Sequence, residues 1–488
     1  MTKSQVNFLI KTGLFIATVG FLIIIAFHVD PHASMDAAYY HVMVDQLEQG
    51  KGFAEPVIWH NLNKYDDLEH PIDYWMPLGI VLYYLARLSM GIAGEVWLNI
   101  FIWAFLAVII YSKVLTLTKS RFCALVAFLA HIFCGRNIFY VLTTDNMAFS
   151  AVLGYFYFNS LGNKDSKWYL TAIIGGLIAL LRIEGVIFAA MGGIFEFYKT
   201  RRLRVLFLYS CLVLAILSPW IIRNIQVLNT PWPSNTKAIF LRNYGDFFNE
   251  EFKGTLEDYL ALGYKEIISQ KLKGLRISLL NLVLLPAHFM FFPVWFPGLI
   301  AFWRRGNKGF TLFFVVFFWL LCGLAFTHQS EKGTALHISA FFYPAYAILT
   351  GMGLSALLES SSARRKKLYY FIGVSMVLWG MCVSYLSTRG IALQYSEDNA
   401  PYIQLFKEFP PASTDLIVSP YPLYVYYLTG CKGVVASKHT AKGPGAIADK
   451  YACNLIVTST KNLHVETPDP QSWQTIASHS LLVLYQRR

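Results

Sequence analysis

The chain has 488 residues, of which 56% are hydrophobic and only 14% are charged, and its mean hydropathy is +0.45. A soluble globular domain averages about 25% charged residues, because polar side chains must cover its apolar interior. The composition therefore excludes an ordinary soluble protein and predicts an integral membrane protein, for which the bilayer is the solvent.

The formal net charge of +12 has its origin in short clusters of Lys and Arg between apolar runs, the pattern that marks cytoplasmic loops. The sequence has no zinc-finger spacing, basic helix or basic stripe interleaved with aromatics, so nucleic acid is not an expected partner. A Walker-type phosphate loop and a G-x-S-x-G elbow are also missing from the sequence, which argues against an ATPase or a serine hydrolase.

The first apolar run, 8–27, is long enough for a membrane span, which needs roughly 20 apolar residues. It follows Lys3 and has no small-residue cleavage site after it, so we interpret it as a retained span rather than a signal peptide. This span carries the chain from the cytoplasm to the outside.

The run 76–90 is short for a span and contains Arg87. If it crossed the membrane, the cluster Lys113, Lys119 and Arg121 would face outward, against the rule that Lys and Arg mark the inside. We therefore predict a helix lying at the outer surface. The remaining clusters then all become cytoplasmic: Lys164 and Lys167; Lys199, Arg201, Arg202 and Arg204; Arg304, Arg305 and Lys308; and Arg364, Arg365, Lys366 and Lys367.

The predicted fold class is an all-α polytopic membrane domain over 1–386, with about eleven spans and outer loops at 28–95 and 223–278. The amino terminus is then cytoplasmic and the carboxyl terminus lies outside the inner (cytoplasmic) membrane. The predicted spans are 8–27, 96–112, 122–142, 147–161, 168–182, 185–198, 205–222, 279–303, 310–326, 338–358 and 368–386; the pair 168–182 and 185–198 is short enough to be one bent hairpin.

The segment 387–488 changes character and predicts a small soluble α/β domain on the outer side. Short β-prone runs occur at 416–419, 455–458 and 481–485, and 443–451 is typical of a helix between two of them. Cys431 and Cys453 lie in this segment and could form a disulfide if it is extracytoplasmic.

Acidic residues concentrate at the outer ends of the predicted spans rather than within them, where a transporter would be expected to place them. Asp36 opens a helical pattern after the first span, in HVDPHASMDAAYYHVMVDQLEQGKGF, and its plainer interpretation is a carboxylate at a helix N-terminus. A second cluster holds Asp66, Asp67, Glu69, His70 and Asp73, for which the alternative is a solvated loop. Asp145, in TTDNMAF, could equally be an ordinary helix cap.

Cationic residues at the outer span ends are the counterpart. Arg182 and Glu184 interrupt an apolar run in LLRIEG, and Arg223 follows Trp220 in SPWIIRN. A pair of arginines suits a phosphate at the membrane surface, although arginines at span ends also extend toward the interface for no other purpose. Lys332 and His337 lie before the late span in THQSEKGTALHISAFFYPAYAIL.

Histidines offer a metal site as an alternative, since several of them occur in the first outer loop with carboxylates. Their spacing does not resemble that of an i, i+4 ligand pair on a helix backed by a third ligand. We therefore assign no metal ligands and keep a divalent metal only as an alternative cofactor. The residues concerned are His28, Asp30, His32, Asp36, His41, His60 and His70.

The order of these motifs resembles the GT-C fold glycosyltransferases, in the bacterial branch related to protein O-mannosyltransferases and lipid A aminoarabinose transferases. The resemblance spans roughly residues 8–358. Its motifs are SMDAAYYHVMVDQLEQGKGF, EHPIDYWMPLGIVLYYL, TTDNMAF, LLRIEG, SPWIIRN and AFFYPAYAILTGMGL.

This resemblance implies transfer of a sugar from a polyprenyl-phosphate carrier to a glycan, lipid or protein acceptor on the outer face, usually with inversion. Asp36 matches the catalytic base and Asp145 the second outer acidic position. The candidates for the donor phosphate are Arg182, Arg223, Lys332 and His337, and those for substrate positioning are Glu69, His70, Asp73 and Glu184.

The chain departs from the family pattern at two places: Pro71 is followed by Ile72 rather than a second proline, and His337 stands where the family often has Arg-Tyr. Two other functions compete with the transferase. A polyprenyl-lipid or polysaccharide flippase would need a polar path through the spans, and a non-catalytic membrane subunit would act through 387–488.

Overall fold

The computed structural model describes residues 2–162, 167–287, 290–304, 334–436, 443–459, 468–479 and 481–488. Helices and strands are numbered below among these residues. The predicted span 310–326 lies outside them, as do Lys164, Arg305, Lys308 and Lys332.

Among the residues that the structure describes, five helices are long and apolar enough to cross a membrane. An unbroken helix pairs every backbone amide and carbonyl within hydrocarbon, as a span requires. The chain is therefore a multi-pass membrane protein. The five are Gln5–Ala26 within α1 (Lys3–Ala26), α4 (Gly94–Thr118), α10 (Leu203–Leu228), the segment His337–Glu359 and α16 (Ala363–Glu408).

Further helices are described in this part of the chain, and four of them, at 121–132, 137–141, 147–162 and 343–359, contact α4. They are α5 (Arg121–Ile132), α6 (Asn137–Val141), α7 (Met147–Gly162), α8 (Trp168–Leu181), α9 (Gly185–Thr200), α11 (Leu256–Leu260), α12 (Tyr264–Ala287), α13 (Phe292–Arg304), α14 (Thr334–Ser339) and α15 (Tyr343–Glu359).

Two predicted spans are wrong in their continuity. The span 122–142 is divided into α5 and α6, because Gly135 adopts a positive φ of 68° that a continuing helix cannot contain. The span 279–303 is divided into α12 and α13; Pro293, which has no amide hydrogen to donate, is the second residue of α13. By contrast, α8 and α9 form the short helical pair that the sequence predicts, and they pack against each other.

The segment 28–95, which the sequence predicts to lie outside and which we name the first outer segment, contains several short elements. They are α2 (Met35–Glu48), a two-stranded antiparallel sheet of β1 (Ala54–Glu55) and β3 (His70–Pro71), and α3 (Pro77–Met90). One face of α3, with Ile80 and Tyr83, packs into the protein, while Leu85 and Leu88 are exposed. An apolar face left open in this way is what a helix lying along a membrane surface needs.

A six-stranded sheet in the order β2–β5–β4–β6–β8–β7 occupies the last part of the chain. The first four strands in that order run parallel, and β8 and β7 pair antiparallel. The predicted strands at 416–419, 455–458 and 481–485 are confirmed, as is the helix at 443–451. The bounds are β2 (Val57–Ile58), β4 (Ile417–Ser419), β5 (Gly433–Val435), β6 (Leu455–Ser459), β7 (Trp473–His479), β8 (Leu482–Arg487), α17 (Pro422–Thr429) and α18 (Gly443–Lys450).

The sheet is covered on both faces, and part of the cover comes from outside 387–488. Ile417 and Leu455 pack with Leu405 of α16 and with α17, whereas Val418 packs with Leu68 of the first outer segment and with α18. That segment also supplies β2 as an edge strand. In addition, α16 continues without a break through 386 and 387, so a single helix joins the membrane to the sheet.

The two cysteines of this part of the chain are free thiols buried on opposite faces of the sheet, Cys431 in one apolar cluster and Cys453 in the other. The disulfide considered from the sequence is therefore not formed. Burial raises the pKa of both thiols, that of Cys453 to about 12.

Candidate active site

Asp36 lies in the first turn of α2, directly after the first span. The helix begins at Met35 because the Ser34 hydroxyl accepts a hydrogen bond from the amide of Ala37 at 3.1 Å. Ser34 supplies the N-cap, which leaves the Asp36 carboxylate free for other contacts. Its side chain is 29% exposed, so a substrate can approach it.

Asp145 lies in the turn before α7, and hydrogen bonds connect that turn to α2, α3 and α4. The Thr144 hydroxyl donates to the carbonyl of Ala37 at 2.7 Å, and the Tyr83 hydroxyl donates to the carbonyl of Asp145 at 2.5 Å. Asn99 donates from α4 to the carbonyl of Thr143 at 2.8 Å. These bonds fix the turn against the start of α2.

The helix-cap interpretation of Asp145 is wrong, because its buried carboxylate accepts no hydrogen bond from a backbone amide of α7. No hydrogen bond from the described residues reaches either carboxylate oxygen. A buried carboxylate without such partners is costly unless a positive charge is close. His337 meets that need.

His337 lies between the two carboxylates. Its Nε2 is 3.2 Å from Oδ2 of Asp36, and its Nδ1 is 3.5 Å from Oδ1 of Asp145. One ligand atom from each of the three residues lies within 4.8 Å of the other two. The arrangement can share a proton between imidazole and carboxylates, and its donor set also suits a divalent cation.

Arg182 follows the end of α8 and is buried beside this group. Its Nη2 donates to Oε1 of Glu184 at 3.2 Å, and the guanidinium lies over the Trp75 ring, 5.4 Å from its centroid. Within the described residues its Nε has no hydrogen-bond partner. Asp145 and Tyr40 are near enough to interact with it electrostatically. The predicted residues thus come together near the carboxyl-terminal end of α8: Asp36, Asp145, Arg182, Glu184 and His337.

The structure does not bring Arg223 into that group. Its guanidinium donates to the carbonyl of Ile72 at 2.5 Å and to that of Phe53 at 2.8 Å, and it lies over the Trp220 ring. These contacts tie α10 to the first outer segment. Lys332, the one lysine among the candidates for the phosphate, lies outside the described residues.

His70 and Asp73 belong to a second, buried cluster, which we name the inner cluster: Glu55, His60, His70 and Asp73. Nε2 of His60 is 3.5 Å from Asp73, and Nε2 of His70 is 3.9 Å from Glu55. Asn63 also hydrogen-bonds to Asp73. Spacing alone does not reveal this cluster, since Glu55 and His60 stand on either side of β2.

Burial and the contacts between its members shift the pKa values of the inner cluster. Burial lowers the pKa of His70 to about 4 and raises the pKa of Glu55 well above its ordinary value. Burial also opposes ionisation of Asp73, but the neighbouring His60 and His70 outweigh it and lower the pKa of Asp73. The third predicted residue of this stretch, Glu69, lies elsewhere, in a partly exposed ion pair with Lys432 at 2.5 Å.

Comparison with known proteins identifies the fold of the chain. No protein-family model and no curated protein sequence matches the chain. Solved structures do match: the apo oligosaccharyltransferase of Archaeoglobus fulgidus is 12% identical, with a TM-score of 0.54 over 92% of this chain and 69% of that one.

Two structures of ArnT from Cupriavidus metallidurans also match. The apo state is 13% identical with a TM-score of 0.56, covering 97% of this chain and 98% of that one. The structure bound to undecaprenyl phosphate is 12% identical with a TM-score of 0.55, covering 97% of both chains. The chain therefore has a GT-C fold, related to that of oligosaccharyltransferase and ArnT.

Proposed function

We propose that this protein is a glycosyltransferase that moves a sugar from a polyprenyl-phosphate donor to an acceptor hydroxyl at the outer face of the membrane. The observation that carries the proposal is the trio of Asp36, His337 and Asp145 at the start of α2, in a GT-C fold. The ArnT structure bound to undecaprenyl phosphate supports a polyprenyl lipid as the donor's carrier.

In the proposed reaction the acceptor oxygen forms a bond to the anomeric carbon while the bond from that carbon to the phosphate oxygen breaks. Asp36 takes the proton of the acceptor hydroxyl, and polyprenyl phosphate leaves with the electron pair. A single displacement of this kind inverts the anomeric centre. Because the leaving group is a phosphate, it needs neutralisation of charge more than it needs a proton.

Asp36 is the member of the trio suited to act as the base, since its carboxylate is partly exposed whereas Asp145 is buried. His337 holds the Asp36 carboxylate from the protein side and is itself held by Asp145. A base fixed in this way needs little reorganisation when the acceptor arrives.

Arg182 is the best-placed candidate for the donor phosphate, because it is buried next to the trio and its Nε is not engaged by a described residue. A guanidinium can bind two phosphate oxygens with parallel hydrogen bonds. Arg223 is a weaker candidate, since two backbone carbonyls already accept its hydrogen bonds. Lys332 remains a candidate on sequence grounds.

The test is sugar transfer by the full chain in proteoliposomes that contain polyprenyl-phosphate sugars. Asp36→Asn removes the proton acceptor but keeps the shape, so we expect the rate to fall by about 100-fold to 10,000-fold. Asp67→Asn is the matched control, because Asp67 is an exposed carboxylate of the same outer segment. Full activity of Asp36→Asn would overturn the assigned mechanism.

A divalent cation bound by the trio is the alternative role for the same three side chains. Metal analysis of Asp145→Asn separates the two: a required cation at the trio makes this variant hold less metal than the wild type, whereas a proton-acceptor role leaves its metal content unchanged. Transport of the lipid without any transfer would instead support a flippase.

A further inference from the structure

A third polar group lies beside α2, on the side facing α4 and α17. It joins His32 of the first outer segment, His41 of α2 and Glu95 in the first turn of α4. All three side chains are buried. The proposed reaction uses none of them.

We propose that His32, His41 and Glu95 bind a divalent transition-metal ion of the zinc class. Nε2 of His32 lies 3.5 Å from Oε2 of Glu95, and Nδ1 of His41 lies 3.1 Å from the same oxygen. In a tetrahedral zinc site with bonds of about 2.0–2.1 Å, neighbouring ligand atoms are about 3.3 Å apart. The two observed separations lie on either side of that value.

The contacts of His32 are compatible with a metal. Its Nδ1 lies 3.2 Å from the hydroxyl of Tyr427. In the tautomer that donates from Nδ1 to that hydroxyl, the lone pair of Nε2 is directed at the Glu95 carboxylate, 3.5 Å away. No described residue hydrogen-bonds to that Nε2, although His32 is only 6% exposed. Two lone pairs facing each other in a buried site repel unless a cation lies between them.

Arg87 supplies the outer shell of the site. Its Nε and Nη2 both contact Oε1 of Glu95, at 2.8 Å and 2.5 Å, so the other oxygen remains directed at the two histidines. Orientation of a ligating carboxylate by a second residue in this way is typical of metal sites. Nη2 also lies 2.8 Å from Nδ1 of His41, and this one contact must yield to the ion.

A divalent cation is compatible with the charge of the group, in which Asp45 and Glu48 are partly exposed and Glu95 is buried. Three carboxylates, those of Asp45, Glu48 and Glu95, surround the single guanidinium of Arg87. With both histidines neutral, the group carries two negative charges more than positive ones, which a divalent ion neutralises. Imidazole nitrogens select a transition metal over calcium or magnesium.

A bound ion would hold three segments of the chain together at one point. His41 lies one and a half helical turns after Asp36 on α2, so the site would fix the helix that carries the proposed base. The described side chains offer three ligands, which leaves a fourth position for water.

The experiment measures zinc in the purified full-length protein, by elemental analysis and by competition with a chromophoric chelator. We expect one equivalent in the wild type. His32→Gln and His41→Gln should each raise the dissociation constant for zinc by at least about 100-fold, and Tyr427→Phe, which removes only an outer-shell partner, by about 10-fold.

His70→Gln is the matched control, since His70 is a buried histidine beside a carboxylate in the inner cluster. It should keep the full equivalent. His337→Gln tests the rival site: if this variant loses the zinc while His32→Gln keeps it, the ion belongs to Asp36 and Asp145 and the proposal is overturned. Wild-type protein that binds less than one equivalent under zinc saturation would also overturn it. Because Tyr427→Phe keeps all three ligands, it tests the site even if a ligand variant does not fold.

Discussion

The trio of Asp36, Asp145 and His337 and the inner cluster have the same ingredients, carboxylates facing histidine nitrogens at 3.2–3.9 Å. They differ in access. In the trio, the Asp36 side chain is 29% exposed, whereas Asp73 of the inner cluster is fully buried.

Aromatic rings close the inner cluster. Trp59 and Tyr74 pack against His60, and the Tyr65 ring stacks on His70 with centroids 3.6 Å apart. Chemistry on a sugar requires that a substrate reach the carboxylate. We therefore propose that the same residue types serve different purposes in the two places. We expect loss of stability from changes to the inner cluster and loss of turnover from changes to the trio.

The largest difference should come from removing one aspartate from each group. Asp73→Ala leaves the buried His60 without its ion-pair partner and the partly buried Asn63 without its hydrogen-bond acceptor. Breaking a buried polar pair costs about 3–5 kcal/mol. Asp36→Ala should change the free energy of unfolding by less than about 1 kcal/mol, because its partly exposed surroundings can rehydrate.

Thermal or denaturant unfolding in detergent micelles measures both variants against the wild type. Asp67→Ala, at an exposed position of the first outer segment, is the control. The comparison fails if Asp73→Ala unfolds like the wild type.

Acid should lower the free energy of unfolding, because His70 of the inner cluster takes up a proton more readily in the unfolded chain. Burial lowers the pKa of His70 to about 4 in the folded protein, from 6.5 in the unfolded chain. Between these values the unfolded chain binds more protons, so stability is complete above pH 6.5 and is lost as the pH falls toward 4. The full loss is about 3 kcal/mol at 1.36 kcal/mol per pH unit.

The measurement is the free energy of unfolding at several values between pH 4 and pH 7, for the wild type and His70→Gln. The variant lacks the titrating group, so its curve should be flatter by that amount over the window. His28→Gln, at an exposed position, should follow the wild type. Parallel curves for His70→Gln and the wild type would contradict the closed character of the inner cluster.

The fold was predictable where one physical constraint dominates. Apolar runs such as 8–27 and 205–222 correspond to spans because hydrocarbon tolerates only helices with paired backbones. The breaks at Gly135 and Pro293 were missed, since a glycine or a proline within an apolar run is compatible with a continuous helix in a membrane. Strand β2 was also missed, because two residues give no periodicity and their pairing with β5 lies some 375 positions along the chain.

In the candidate site, the order of the motifs predicted which residues lie close together. It did not predict which of them are already engaged by the backbone. Asp36, Asp145, Arg182 and His337 do lie together, as their shared positions at outer span ends indicate. Arg223 has the same sequence character as Arg182, yet its guanidinium is taken up by backbone carbonyls. Such a difference depends on how separate loops pack, about which one sequence gives no direct signal.

The smallest effect should come from the ion pair of Glu69 and Lys432. This pair lies outside both groups and shows how much an exposed pair contributes to stability. The side chains are 35% and 40% exposed, and Lys432 lowers the pKa of Glu69 by its hydrogen bond. Water already solvates both charges, so the pair should contribute less than about 1 kcal/mol. A double-mutant cycle of Glu69→Gln and Lys432→Met on the free energy of unfolding measures that coupling. A coupling above about 2 kcal/mol would mean that this exposed pair stabilises the fold about as strongly as a buried pair does. Solvent exposure would then no longer distinguish the inner cluster, proposed to be structural, from the trio, proposed to be catalytic.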